Sequence, residues 1–495
     1  MMGSHKATIP NHPRLRGLGL SVVASLALCS CALGPDFVKP DQPPVRTYLP
    51  ASVSLSGSKP AGQSLVSGKQ VPNQWWRLFQ SAQLDDVMQE ALAHNATLEA
   101  ALASLQQSQH NLQAGYGIFF PQIGMNMAAS RERTAPIAQG LKTPSNIFNV
   151  VTLSAGISYD LDLFGGERRA VEALAAQVDS ARFAGKAAYV TLSANVVNAV
   201  IARAAYAVQL RATEQLWQLL QQQLAAVQAQ VKSGTVAYTA ELALRTQISS
   251  AEASLANLKQ QVSQSENLLA TLQGRFPAQS TLPMPELDQL SLPDELPLTL
   301  PSELAQLRPD IMQAQAQLHV ASANIGVATA ALFPRISLTG NAGQTGTSLA
   351  NLQDANGRFW SVGPSVVIPV FEGGTQWFQR EAAKDAFQVA QAGYRQTVLS
   401  AFAQVATVLQ ALRHDSDAWR AQQDALGYAG AALQSATAGF NSGINSYLDV
   451  LVADVLFHQA MLAAIQANAQ RHQDTVALYA ALGGGWWAGA AESQP

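Results

Sequence analysis

Hydrophobic and polar residues alternate strictly along residues 151 to 163, which read VTLSAGISYDLDL. Apolar side chains occupy the odd positions from Val151 to Leu163, and small or polar ones occupy the even positions between them. A period of two is typical of a β-strand with one apolar and one polar face. The stretch is longer than the roughly 9–11 residues that a tilted strand needs to cross a bilayer, so we predict a transmembrane strand.

The same arrangement recurs along the chain. The first strand leads through Phe164 and Gly165-Gly166 into a long helical stretch, and Val362 to Val370 lead through Phe371 and Gly373-Gly374 into another. Two further alternating stretches begin at Ile123 and Ile336, each after a Phe-Pro pair. The sequence therefore predicts four transmembrane strands, arranged as two copies of a unit that joins strands to long helices.

Helical periodicity fills most of the remaining chain. Apolar residues at helical spacing predict helices over 84–116 with a break near Asn95, and over 167–231, 239–272, 302–332, 375–440 and up to Leu482. At ~1.5 Å per residue the second of these would be roughly 100 Å long, so it needs neighbours along its side. Such lengths are typical of coiled coils.

Two Ser-Gly pairs, Ser233-Gly234 and Ser442-Gly443, interrupt the longest helical stretches, since glycine readily forms the left-handed turn at a helix end. They are 209 positions apart (442 minus 233), which supports the duplication. We predict a signal peptide (1–30), a polar arm extended along the surface (31–73), a first repeat (74–274), a Pro-rich linker (275–301), a second repeat (302–484) and a tail (485–495).

The N-terminus indicates export. Arg14 and Arg16 precede an apolar run from Leu18 to Leu28, which has the length of a signal-peptide core and is too short for a spanning helix. The run ends in Leu28-Cys29-Ser30-Cys31, which resembles a bacterial lipobox and predicts lipidation of Cys31; a plain secretory signal is the alternative. Ala32 follows in place of the aspartate that retains such lipoproteins in the inner membrane, which favours the outer membrane.

Composition narrows the classes of function. Both cysteines lie at this N-terminus, so the mature chain would hold no free thiol or disulfide, which suits an oxidising periplasm. A net charge of −3 argues against a nucleic-acid partner. Only 13% of residues are charged, and no metal-binding or nucleophile motif is present, so we predict no enzymatic activity and no metal or cofactor. The near-zero mean hydropathy fits both a large soluble protein and a β-barrel membrane protein, so composition does not distinguish these two classes.

Four strands are too few to close a barrel, for which about eight is the lower limit, and open edges are costly in lipid. The strands must then be shared between chains. Two chains give eight strands and a filled interior, whereas three give twelve and room for water, which the polar strand faces favour. Phenylalanine at every strand–helix junction (Phe119 and Phe120, Phe164, Phe333, Phe371) predicts an aromatic girdle, with the helices in the periplasm. A soluble four-stranded sheet is the alternative.

Several motifs, in this order and spacing, carry a family resemblance. They are CALGPDFVKP from Cys31, Trp75-Trp76 with Phe79, Arg308-Pro309-Asp310-Ile311 followed by Ile325-Gly326 and Phe333-Pro334, and Leu482-Gly483-Gly484-Gly485-Trp486. The chain resembles the TolC-like outer membrane factors, in their lipidated NodT/OprM-type branch.

The resemblance implies an α+β membrane protein that forms a homotrimer, with a twelve-stranded barrel continuous with a periplasmic helical tunnel. It implies docking on a periplasmic adaptor protein and an inner-membrane RND-type transporter, and a passive exit duct for small toxic compounds. No cofactor is implied besides the covalent lipid on Cys31. A type I protein-secretion duct and a non-conducting structural lipoprotein of the envelope are the alternatives.

The resemblance also implies roles for individual residues. Ser233, Gly234, Ser442 and Gly443 would form periplasmic tip turns that meet the adaptor, and Tyr447, Leu448 and Asp449 would lie at the pore constriction. Relatives often carry an acidic residue and an arginine where this chain has Val452 and Val455.

The spacing of titratable residues indicates two candidate functional pairs. Asp160 and Asp162 lie on the polar strand face and would form acidic rings in the lumen of a trimer, or simply be solvated. Asp454 and His458 are one helical turn apart, which favours an ordinary contact over a metal-binding or pH-sensitive pair.

Overall fold

The computed structural model describes residues 32–41, 43–45, 47–50, 63–140, 142–279 and 283–486. The strands are β1 (Ser64–Ser67), β2 (Gln122–Arg133), β3 (Ile147–Leu161), β4 (Glu295–Leu298), β5 (Arg335–Gly346) and β6 (Arg358–Val367). The helices are α1 (Ala82–His94), α2 (Ala96–Tyr116), α3 (Gly166–Lys232), α4 (Tyr238–Leu272), α5 (Pro301–Leu307), α6 (Pro309–Ala330), α7 (Thr375–Asn441) and α8 (Tyr447–Ala481).

The chain divides into two compact units. Unit 1 comprises Met1–Lys39, Gln106–Ser180 and Gln315–Gly393, and unit 2 comprises Pro40–Leu105, Ala181–Ala314 and Tyr394–Pro495. Each unit draws on both predicted repeats, so the units do not follow the duplication. The predicted repeat and linker boundaries stay predictions.

Unit 1 contains a four-stranded antiparallel sheet in the order β2-β3-β5-β6. The four predicted strands are confirmed, but their lengths differ from prediction. β2 and β3 pair as far as Arg133 and Ile147, so the loop between them is shorter than predicted. β6 ends at Val367 and not at Val370, because Pro369 has no N–H to donate to a ladder.

The helices agree with the periodicity except in one place. The break near Asn95 is confirmed: its side-chain carbonyl accepts from the Leu98 N–H (3.0 Å), and its amide donates to the Leu272 carbonyl (2.9 Å). The single helix predicted over 302–332 is wrong, since α5 and α6 are separate helices with Arg308 between them. Pro309 disfavours helical geometry at Arg308 and starts the next helix.

Unit 2 contains a small parallel sheet that the sequence did not predict. β1, from the predicted surface arm, pairs with β4, from the predicted linker, in the register Ser64↔Glu295 to Ser67↔Leu298. Val71 and Leu296 are fully buried. The expectation of an extended surface arm is therefore wrong for these residues, because the arm gains backbone hydrogen bonds and apolar burial from the other segment.

The largest core lies in unit 2 and is rich in aromatic side chains. Trp75, Trp76 and Phe79 are buried, and the Trp75 ring stacks on Tyr479 with centroids 5.2 Å apart. Burying such large rings contributes strongly to stability. The Trp-Trp motif of the sequence thus serves as a packing centre between α8 and the segment before α1.

Arg308 is a polar centre of unit 2. Its guanidinium donates to the Ala481 carbonyl (2.7 Å), the Asp310 carboxylate (2.6 Å) and the Gln404 side chain (2.8 Å). Only 6% of the residue is exposed. Arg308 therefore joins the start of α6 to α7 and to the end of α8, which explains the Arg-Pro-Asp motif physically.

By length and composition alone, α3 and α8 are also apolar enough to cross a membrane. Part of each apolar stretch is buried within the chain. A long helix that packs against neighbouring helices can also be this apolar without crossing a membrane.

Candidate functional site

One face of the four-stranded sheet, called here the apolar face, is hydrophobic across all four strands. Residues paired across strands lie on the same face, and one such row runs from Ile123 through Ile157 and Gly340 to Val362. The large apolar side chains on this face that are exposed in the single chain are Ile123, Met125, Met127, Ile147, Leu153, Ile157, Leu161, Leu338, Trp360, Val362 and Val366. An exposed apolar surface of this extent marks contact with lipid or with another chain.

The opposite face, called here the polar face, carries mostly small and polar side chains. Its larger apolar side chains are Phe148, Val150, Phe359 and Val367. Ser154 on β3 pairs with Asn126 on β2, and Thr152 lies opposite Thr345 with their hydroxyl oxygens 3.3 Å apart. This division into one apolar and one polar face is typical of a barrel strand between lipid and a water-filled lumen.

The two predicted lumen-facing aspartates have different environments. Asp160 lies on the polar face of β3 opposite Ser337, so a ring of Asp160 side chains stays a prediction. Asp162 lies beyond the end of β3, and its carboxylate accepts from the backbone N–H (3.0 Å) and Nε (3.1 Å) of Arg168. Its placement on the strand face is therefore wrong. The reason is that the chain already turns here toward α3, at Gly165 with φ of 77°.

The strand–helix junctions hold the predicted phenylalanines. Phe164 and Phe333 stack with ring centroids 4.9 Å apart, whereas Phe120 and Phe371 are exposed. At the start of α3, burial and then the charge of Asp162 raise the pKa of Glu167. These rings and Phe119 all lie between a helix and a strand along the chain, and the aromatic girdle stays a prediction.

The segment that follows Cys31 is fixed to this junction in unit 1. The Leu33 N–H donates to the Phe164 carbonyl (3.0 Å), and Arg169 donates to the Leu33 carbonyl (3.3 Å) and to Asp36 (2.6 Å). A side chain at Gly326 would come 2.7 Å from Arg169 Cγ, so the absence of a Cβ permits this close approach. Cys31 itself lies outside the described residues.

A chain of side chains completes the attachment of this segment. Arg169 also donates to Glu172 (2.7 Å), Glu172 contacts His319 Nε2 (2.8 Å), and the His319 ring stacks on Phe37 at 4.3 Å. Burial works against ionisation of Glu172, but hydrogen bonds from His319 and Arg169 lower its pKa. Asp36 and Phe37 are thus both held through one continuous network.

The two Ser-Gly turns, predicted to be periplasmic tips, have the same backbone conformation. Gly234 and Gly443 have φ of 75° and 77°, and the Ser233 and Ser442 hydroxyls donate to carbonyls of the preceding helix. Nothing lies within 4 Å of a Cβ built at either glycine. The left-handed conformation, and not a close contact, accounts for glycine there.

The residues predicted for the constriction lie in the first turn of α8. Asp449 forms a capping box with Ser446, whose N–H donates to the Asp449 carboxylate at 2.8 Å. The Tyr447 hydroxyl donates to Gln223 (2.6 Å), and Leu448 is 52% exposed. Asp449 is therefore engaged in starting the helix, and Leu448 is the accessible apolar side chain. The role of all three in a constriction stays a prediction.

Asp454 and His458 are buried in unit 2. His458 Nε2 lies 3.4 Å from the Thr213 hydroxyl, and Asp454 Oδ2 has no hydrogen-bond partner in the described chain. Burial raises the pKa of Asp454 and lowers that of His458. Among the residues that the structure describes, no group of three or more His, Cys, Asp or Glu is arranged to hold a metal ion.

Sequence reasoning missed the attachment network around Arg169 and the role of Arg308. The only signals were an arginine three positions after Gly165-Gly166 and the Arg-Pro-Asp motif, and neither indicates which distant residues it binds.

Known proteins resemble this chain along most of its length. The sequence profile of the family described as outer membrane efflux protein matches residues 87–275 and 300–484. The cation efflux system protein CusC of Escherichia coli O6:H1 is 29% identical over 472 residues, covering 94% of this chain and 98% of the relative. The probable efflux pump outer membrane protein TtgC of Pseudomonas putida is 29% identical over 473 residues, covering 95% and 96%.

Solved structures share the fold. The open state of the MtrE outer membrane channel of Neisseria gonorrhoeae superimposes with a TM-score of 0.79 at 27% identity, covering 92% of this chain and 99% of MtrE.

Proposed function

This chain belongs to the outer membrane efflux protein family, and from that premise we propose that it is the outer membrane exit channel of a tripartite efflux pump. The observation that carries the proposal is the sheet in unit 1, with one apolar face, one polar face and two strands, β2 and β6, that each pair on one side only within the described chain. Such a sheet is suited to lipid on one side and water on the other.

The open strands of the sheet favour assembly as a homotrimer. Three copies of the four strands give a twelve-stranded barrel, wide enough for an aqueous lumen, and no edge is left unpaired in lipid. The long helices of the three copies would form the periplasmic tunnel. Their lengths, such as 67 residues in α3, require partners along their sides.

The proposed partners follow from the family. Efflux channels of this kind work with a periplasmic adaptor and an inner-membrane transporter, here of RND type, which supplies the energy. The chain would be a passive duct and not an enzyme, and small toxic compounds would be its cargo. We assign the turns at Gly234 and Gly443 to the adaptor contact and the exposed Leu448 to the constriction, together with Tyr447 and Asp449.

Two measurements on the purified protein test the proposal. The mass of the detergent-solubilised protein should be that of three chains, and the protein should conduct ions in planar bilayers. A monomer that does not conduct would refute the channel and leave a structural envelope lipoprotein. Export of a polypeptide, without protection against small toxic compounds, would favour a protein-secretion duct.

Replacing Leu448 by alanine should raise the leak conductance of the closed channel severalfold. The reason is that three apolar side chains at a constriction exclude water, and shorter ones leave a wider, wetter gap. Single-channel recording and sensitivity to bulky antibiotics measure the effect. Leu242→Ala is the matched control, because Leu242 is a similarly exposed leucine (46%) next to the other turn. An unchanged leak in Leu448→Ala would remove Leu448 from the constriction.

Replacing Cys31 by serine should reduce incorporation of labelled fatty acid to background, because the thiol is the atom that would carry the lipid. Trimers should still form, since the barrel strands insert in the membrane by themselves. Cys29→Ser is the matched control: it removes the neighbouring thiol and should leave labelling intact. Persistent labelling of Cys31→Ser would contradict the anchor assignment.

A further inference from the structure

The apolar face of the sheet carries a small set of charged residues, all of one sign. Within the four strands β2, β3, β5 and β6, which are fully described, the charged side chains on this face are Arg131, Arg133 and Arg358. The acidic residues of these strands, Glu132 and Asp160, lie on the polar face. The apolar face is therefore positively charged at three positions, with no carboxylate on it to neutralise them.

All three arginines lie at the end of the sheet away from the helices. Arg131 is nine residues from the start of β2 (131 minus 122), and Arg358 is nine residues from the end of β6 (367 minus 358). Nine residues span roughly 30 Å along a strand, or roughly 21–25 Å of height at a tilt of 35–45°. An apolar band on a barrel is about 25 Å tall, so the arginines lie at its far border.

The side chains next to the arginines suit a membrane–water border. Trp360 is exposed on the same face of β6, two residues from Arg358, and tryptophan is enriched at such interfaces. Arg131 is paired with Asn149, and Arg358 is paired with Gln344, so two amide side chains accompany the arginines. The Arg133 guanidinium also donates to the Ser145 hydroxyl at 3.0 Å.

The arginines are divided between the two outer strands. In one chain β2 and β6 are three strand spacings apart, roughly 14 Å. In the trimer of the proposed function, on which this step depends, β6 of one copy neighbours β2 of the next in antiparallel orientation. Arg358 of one copy then lies beside Arg131 and Arg133 of another, and neither copy alone completes the cluster.

We propose that each seam between copies is a binding site for the phosphate groups of lipids in the outer leaflet of the outer membrane. Arginine binds phosphate oxygens through two parallel N–H donors, and it does so in partly apolar surroundings better than lysine. The lipid's acyl chains would lie along the apolar band below the arginines. The site thus selects a phosphorylated lipid and links two neighbouring copies of the chain.

The experiment titrates the purified trimer, in neutral detergent, with lipid A and counts the bound molecules by native mass spectrometry. Dephosphorylated lipid A and inorganic phosphate are titrated in parallel. The test variant is Arg131→Gln/Arg133→Gln/Arg358→Gln. The matched control is Arg335→Gln, which removes an exposed arginine from the polar face of the same sheet at its helix-side end.

The expected result is salt-sensitive binding of lipid A to the wild type and to Arg335→Gln, with one site per seam. The triple variant should bind at least roughly tenfold more weakly, and dephosphorylated lipid A should bind weakly to every form. If the triple variant does not form trimers, Arg131→Gln and Arg358→Gln separately should each weaken binding, because they remove the two sides of one seam.

Three results would overturn the proposal: equal binding by the triple variant, equal binding of dephosphorylated lipid A, or equally tight binding of inorganic phosphate, which indicates a free-anion site. A conductance measurement distinguishes failure of the lipid-site proposal from failure of the proposed function. A conducting trimer without phosphate-dependent lipid binding would refute the lipid site alone. A wild-type protein that neither trimerises nor conducts would refute the channel and the seams together.

Discussion

Arginine in place of Ala155 should prevent insertion of the protein into the outer membrane, whereas arginine in place of the adjacent Ser154 should be tolerated. Ala155 lies on the apolar face near the middle of the band, paired with Met125 on one side and Ala342 on the other. A charge at the middle of the bilayer costs ~2–4 kcal/mol on the lipid face of a barrel, and in the proposed trimer every copy would meet this cost.

The two substitutions form a matched pair. Alanine and serine are similar in volume and are neighbours on β3, but Ser154 lies on the polar face, paired with Asn126 and Gly343. The amount of heat-resistant trimer in outer membrane fractions measures the effect, with total protein in the cell as the reference. Equal amounts of both variants would mean that the two faces of the sheet do not separate lipid from water.

Replacing Arg308 by alanine should destabilise unit 2 by about 1–3 kcal/mol, the cost of leaving a buried polar group such as the Ala481 carbonyl without its hydrogen bond. The Ala481 carbonyl, the Asp310 carboxylate and the Gln404 side chain would each lose a donor. The midpoint of unfolding, followed by tryptophan fluorescence in detergent, should fall accordingly.

The control for Arg308→Ala is Arg211→Ala. Arg211 also binds a carboxylate through two bonds, to Glu286 at 2.9 Å, but its side chain is 49% exposed. Exposed ion pairs contribute roughly 0–1 kcal/mol, so this variant should unfold near the wild-type midpoint. If both variants lowered the unfolding midpoint equally, the burial of Arg308 would not make its contribution to stability larger than that of Arg211.

The four-stranded sheet of unit 1 and its two faces could be predicted from the sequence because their signal is local. A period of two in β3 assigns every side chain to a face without reference to any other strand. Glycine at the two turns and asparagine at position 95 are likewise local signals, since each satisfies a backbone requirement of its own helix end.

The parts that the sequence did not predict depend on distant partners. β1 and β4 have four residues each, too few to show a period, and each is paired only because another segment more than 200 positions away supplies an edge. Two of the partners of Arg308, Gln404 and Ala481, are likewise far away in the chain. Asp162 fits the alternating pattern, yet Arg168 and the turn at Gly165 place it outside the strand.

The two Ser-Gly turns share a backbone but begin their following helices differently. α8 starts with the capping box of Ser446 and Asp449, whereas Ala237, at the same place before α4, offers no side-chain acceptor. A side-chain cap contributes about 0.5–2 kcal/mol, so α4 frays more readily at its start than α8. In an assembly of three copies, the six Ser-Gly turns would alternate between those followed by the capped helix α8 and those followed by the uncapped helix α4. Local flexibility around this ring of turns would therefore repeat three times and not six times.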